Sequence, residues 1–152
     1  IESESLLRKG SNGIEFFTTQ VLYDSTKIIK MLKYYDEICE ENNVLPRRVL
    51  LSFAPVSSNK NIEFLKWLGV EISSHTEKRL LDEDSDMTEK SLEIAREILN
   101  DVLSNNEKNN IKVPIGLNVE HIMSYNFQHS INMLQELSKI YRKFCIKTSL
   151  YD

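Results

Sequence analysis

The chain has 152 residues, 41% hydrophobic and 28% charged, with a formal net charge of −4. That is the material of one ordinary domain, and it offers no basic stripe of the kind nucleic acid requires. No apolar run approaches the roughly 18 to 20 residues of a membrane span, the longest, Val49 to Val56, being broken by Ser52 and Pro55. The opening Ile1-Glu2-Ser3-Glu4 has neither an initiator Met nor an apolar leader, which reads as a piece of a longer cytoplasmic polypeptide. Cys39 and Cys145 show no metal or redox spacing and read as free thiols of a cytosolic protein.

Two periodicities alternate along the chain. Residues 2 to 9 predict the end of a helix, stopped around Gly10 and Gly13, and Ile14 to Gln20 predict a short strand rich in aromatic and β-branched residues. Asp24 or Ser25 caps a helix whose apolar positions Ile28, Leu32, Tyr35 and Cys39 share one face, and Asn42-Asn43 end it. Arg47 to Phe53, with the continuous apolar core Val49-Leu50-Leu51, suits a parallel strand covered on both faces. Ser57 or Ser58 opens a further helix with Ile62, Leu65, Trp67 and Leu68 as its packing face and Gly69 as its stop.

The segment from Val70 to Leu81 is expected to be helical in its second half. The acidic run from Asp82 to Asp86 is expected as a solvated turn; it lacks the alternating ligands and central Gly of a calcium loop. A long helix follows with Leu92, Ala95, Leu99 and Val102 on one stripe, then a polar loop from Ser104 to Asn110. Ile111 to Asn118 reads as a third strand, and 127 to 144 as a last helix with Phe127, Ile131, Leu134, Leu137 and Tyr141 inward. Strands regularly separated by helices imply an α/β fold with a parallel sheet. Three strands leave two unpaired edges, whereas a closed (β/α)8 barrel needs eight, so the missing strands are expected upstream of a single partial barrel domain spanning 1–152.

Several stretches together resemble a known family. Arg8-Lys9, a Gly-containing turn, the run Thr19-Gln20-Val21-Leu22-Tyr23-Asp24, then Ala54-Pro55-Val56-Ser57, Leu68-Gly69-Val70 and Gly116-Leu117-Asn118 look like the second half of a methylenetetrahydrofolate reductase. The similarity covers roughly residues 5 to 125, and its most specific element is the Thr-Gln-x-x-Tyr-Asp run. The resemblance implies the C-terminal half of a (β/α)8 barrel in one-carbon metabolism. It further implies FAD at the mouth and NAD(P)H as electron donor, hydride passing to the flavin and then to the methylene group of a folate.

By the same resemblance Gln20 would bond the pterin edge of the folate, its amide supplying both a donor and an acceptor. Thr19, Tyr23 and Asn118 would line that substrate site, and Lys9, with Arg8, would face the flavin's phosphate region. Each role has a plainer alternative. Gln20 can satisfy strand backbone, the Arg8-Lys9 pair suits a helix C-terminus with no ligand at all, and Asp24 suits an N-cap. Two positions depart from the family pattern: Asn59 stands near where an aromatic ring commonly clamps the substrate, and Val119 stands where an Arg follows Leu-Asn. The family's general acid would lie upstream of residue 1.

Two other readings therefore stay open. One is an inactive or regulatory homologue that binds folate, and the other is a methyl-transferring barrel without flavin. Assembly as a homo-oligomer is open too. Of the histidines, His75 reads as exposed, and His121 and His129 are eight apart, not the four of a helical metal pair. Glu120-His121, just past the third strand, could move a proton, but neighbours on a loop more often point apart.

Overall fold

The computed structural model describes residues 2–82, 84 and 86–149. Ile1, and Glu83 and Ser85 of the acidic run, lie outside the described residues. Helix α1 (Glu2–Ser11) precedes strand β1 (Phe16–Val21), and α2 (Thr26–Glu41) leads to β2 (Arg48–Phe53). Three helices, α3 (Asn59–Trp67), α4 (Ser74–Leu80) and α5 (Met87–Lys108), separate β2 from β3 (Ile115–Val119). A 3-10 turn (Ser124–Asn126) then runs directly into α6 (Phe127–Ser149). The strands form one parallel sheet in the order β1-β2-β3, so the α/β class read from the alternation is the class observed.

Helix α2 shows how pattern becomes packing. Ile28, Leu32, Tyr35 and Cys39, one face of a 3.6-residue period, are the four residues it buries. Burial of each large apolar side chain is worth about 1.5–3 kcal/mol, which fixes this face against the sheet. The Tyr35 ring meets Phe17 of β1 edge-on at 6.2 Å, and its hydroxyl accepts the Arg47 N–H at 2.9 Å, tying the helix to the start of β2. At the other end Asp24 Oδ1 accepts the Thr26 N–H at 2.8 Å, and Asn43 closes the helix with φ of 53°.

The central strand buries Val49, Leu51 and Phe53 toward the helices. On the other face, cross-strand pairing aligns Thr18 with Leu50 and Leu50 with Gly116. A methyl group on Gly116 would overlap Leu50 Cδ2, so glycine is what lets the Leu50 side chain lie across β3. That face is covered unevenly: Phe16 is 53% exposed, whereas Ser52 is completely buried.

The helix phases and boundaries depart from the sequence reading in four places. Trp67 and Leu68 face outward, 78% and 43% exposed, and α3 instead buries Asn61, Ile62 and Leu65. Residues 104–108 are helical, with Asn106 packed inward and the Glu107 carboxylate paired with Lys147 of α6 at 2.7 Å. The third strand starts only at Ile115: Pro114 has no N–H to donate, and its carbonyl takes the Val49 N–H. On α6 the inward stripe is Ser130, Met133 and Leu137, with Phe127 and Leu134 exposed, because the buried Asn126 just before the helix sets its phase.

Asp86 caps α5, its Oδ1 accepting the N–H groups of Thr88 at 2.7 Å and Glu89 at 3.2 Å. The Glu89 and Thr88 backbone bonds hold this carboxyl below its ordinary value of 3.8. A depressed folded-state value means a contribution present above the unfolded value and lost as pH falls through the folded one. Asp86→Ala is therefore expected to cost about 1 kcal/mol near neutrality. Paired urea denaturation curves should show that difference shrinking toward acid, where the capping carboxylate becomes protonated.

Candidate functional site

In an open parallel α/β sheet the carboxyl ends of the strands are where loops converge and ligands bind. At β1 that end carries a bulge: Thr18 pairs with Leu50 and Val21 with Ser52, leaving Thr19 and Gln20 opposite one residue. Their side chains replace the interrupted ladder. Thr19 Oγ1 accepts the Ser52 N–H at 2.9 Å, and Gln20 Oε1 accepts the Val21 N–H at 2.9 Å. Gln20 Nε2 donates to the Leu68 carbonyl at 3.3 Å, so both polar atoms of this exposed amide are engaged by main chain. The backbone-satisfying alternative for Gln20 is thus the arrangement present here.

Tyr23 is 5% exposed, and its hydroxyl donates to the Ala54 carbonyl at 2.9 Å. Burial raises its phenol far above the usual value of 10.0, so it serves as a neutral strut between the ends of β1 and β2. A cavity of about 490 Å³ runs along the outer edge of β1, a size within the range that holds small molecules. Thr19, Gln20, Tyr23 and Lys9 all line it, so four of the six sequence-derived site residues meet there. Arg8, on the exposed side of α1, and Asn118, on β3, do not.

The cavity's charges balance. Lys9 and Lys27 stand with Asp24 and Glu71, and Lys27 is paired with Glu71. Lys9 also sits in the last turn of α1, where the helix dipole favours a cation without any ligand. This set, with two cations against two carboxylates, does not single out a pyrophosphate.

A second group of polar residues lies at the ends of β2 and β3. Asn118 Nδ2 donates to Ser52 Oγ at 3.0 Å and to Glu120 Oε1 at 3.4 Å, and the Glu120 N–H bonds the Phe53 carbonyl at 2.8 Å. Glu120 is half-buried with its carboxylate turned toward Asn118, while His121 is exposed and packs edge-on against Phe127 at 5.1 Å. The two neighbours diverge. Among the described residues no cluster of three or more His, Cys, Asp or Glu suits a metal ion, and no helix is long and apolar enough to cross a membrane.

Beyond this rim the tails of β2 and β3 are fastened by buried amides. Asn126, 2% exposed, accepts from Ser57 Oγ at 2.7 Å and donates to the Pro55 carbonyl at 3.4 Å and to Asn61 Oδ1 at 3.0 Å. Asn61, equally buried, donates to the Tyr125 hydroxyl at 2.6 Å. None of Ser52, Asn61, Tyr125 or Asn126 stands out in the sequence reading. The available signal was an Asn continuing the buried stripe of α6 one turn upstream of Ser130.

No protein-family model matches the sequence, and no curated protein matches it significantly. Among solved structures, an uncharacterized protein from Clostridium thermocellum that binds two copies of 5-methyl-5,6,7,8-tetrahydrofolic acid superposes with a TM-score of 0.77 at 23% identity. The match covers 91% of this chain and 48% of the other, so the chain spans about half the length of that protein. The likeness establishes a shared α/β architecture.

The Thr19 hydroxyl is the acceptor for a main-chain N–H on the fully buried Ser52. Thr19→Val, close in shape but without the oxygen, is expected to destabilise the fold by about 1–3 kcal/mol. Urea denaturation at neutral pH measures it, and an unchanged midpoint would show that the bulge does not need this bond.

Proposed function

We propose that this chain is a folate-binding α/β domain, the C-terminal half of a (β/α)8 barrel, in which Asn118 and Glu120 at the strand ends, with the buried Ser52 holding Asn118, recognise a pterin. The observation that carries the reading is the shared fold with a protein that binds a methylated tetrahydrofolate, combined with a polar rim at the strand ends where such folds take ligands. A pterin presents an amino group and a ring N–H side by side on one edge. A carboxylate is matched to that pair, accepting two parallel bonds. Glu120 offers it, and the Asn118 bond to Oε1 fixes its orientation.

In this reading the β1 cavity is less suited to the pterin, because the Gln20 amide would first have to release Val21 and Leu68. The narrower reading, a flavin-dependent reductase using FAD and NAD(P)H, has a direct check in the absorbance of the purified full-length protein. The expected result is a colourless protein.

Titration calorimetry with 5-methyltetrahydrofolate tests the binding itself. Measurable affinity is expected, with Glu120→Gln about tenfold weaker because a charged acceptor becomes a neutral amide. Equal affinity of the two proteins would remove Glu120 from the site, and no binding by the unsubstituted protein would overturn the reading.

A further inference from the structure

The loop that follows β3 presents aromatic rings at the rim. Tyr125 is 61% exposed, yet its hydroxyl is fastened to Asn61, a residue only 2% exposed. Asn61 Oδ1 in turn receives the Ser57 N–H at 2.9 Å and Asn126 Nδ2 at 3.0 Å. A solvent-facing tyrosine ordinarily keeps its rotamer freedom, and a ligand that stacks on it must then order it. Here folding has already ordered it. The result is a flat apolar surface held in place before any ligand arrives.

Its position follows from the fastened tails. Ser52 bonds Asn118, Phe53 bonds Glu120, and Pro55 and Ser57 bond Asn126, so the two segments run together from Glu120 to the loop that carries Tyr125. Ser57 is five residues beyond Ser52, at most about 17 Å even fully extended. A folate is longer than its pterin: a second ring, the aminobenzoyl group, projects from the edge opposite the amino group. With the pterin edge at Glu120, a second ring directed along these loops would meet Tyr125.

We infer that Tyr125, held by Asn61 at the far end of the joined β2 and β3 tails, is the stacking platform for the aminobenzoyl ring of the bound folate. The assignment rests on the folate-binding reading and adds to it the residue that distinguishes a whole folate from a bare pterin. It also gives the site an aromatic surface from the loop after β3, where the position near Asn59 supplies none.

The test is calorimetric titration of the full-length protein and its Tyr125→Ala, Tyr125→Leu and Tyr125→Phe variants with 5-methyltetrahydrofolate and with a reduced methylpterin lacking the aminobenzoyl tail. Tyr125→Ala and Tyr125→Leu are expected to bind the folate about tenfold more weakly, in line with the loss of one stacked ring. The bare pterin should bind all variants alike, and Tyr125→Phe, which keeps the ring but frees it from Asn61, should bind the folate with an affinity between those of the unsubstituted protein and Tyr125→Ala. Unchanged folate affinity in Tyr125→Ala would overturn the platform while leaving the folate reading in place. Equal losses for folate and pterin would also overturn it, since the ring would then act on the pterin or on the rim. Failure of the unsubstituted protein to bind either ligand would overturn both.

Discussion

The arrangement of the candidate site depends on one buried side chain, the carboxamide of Asn126. A primary amide has two donors and an acceptor, and burying it without partners costs several kcal/mol at the upper end of transfer measurements. Its three partners come from one neighbouring stretch: Ser57 and the Pro55 carbonyl after β2, and Asn61 on α3. Each bond is directional, so this stretch and the loop before α6 can satisfy the amide only in one mutual arrangement. That converts two loops, which would otherwise be free to drift, into a fixed extension of the parallel sheet.

The same amide sets the phase of α6. With Asn126 pointing in, the positions that follow inward at helical spacing are Ser130, Met133 and Leu137, and the large apolar residues Phe127 and Leu134 are carried to the surface. Phe127 thereby packs on His121 at the surface, two residues from the exposed Tyr125. A single polar contact thus couples core packing to the composition of the site. The bulge at β1 works in a comparable way. Thr19 and Gln20 supply the acceptors that the interrupted ladder lacks, so both side chains are engaged by main chain.

The two ends of the sheet differ in what they can offer. Along β1 the cavity has balanced charge and its most capable side chain, Gln20, is engaged at both ends by main chain. Across β2 and β3 the polar groups converge, with Asn118 bonded at once to Ser52 and to Glu120. Residue type alone favoured the first location. Hydrogen-bond geometry favours the second.

The sequence by itself determined the class of fold, the order of its elements and the face that α2 buries. Those follow from local periodicity and short-range stop signals, and Ile28, Leu32, Tyr35 and Cys39 needed no knowledge of their partners. Only the tertiary structure decided which of two helical stripes on α6 turned inward, that residues 104–108 stayed helical, and that Trp67 faced out. The site divides the same way: Asn118 could be placed near a strand end from its sequence, but its partnership with Ser52 and Glu120 could not. Those outcomes hinge on contacts between residues tens of positions apart, such as Asn126 with Pro55, and a pattern read along one segment carries no information about the group that will face it.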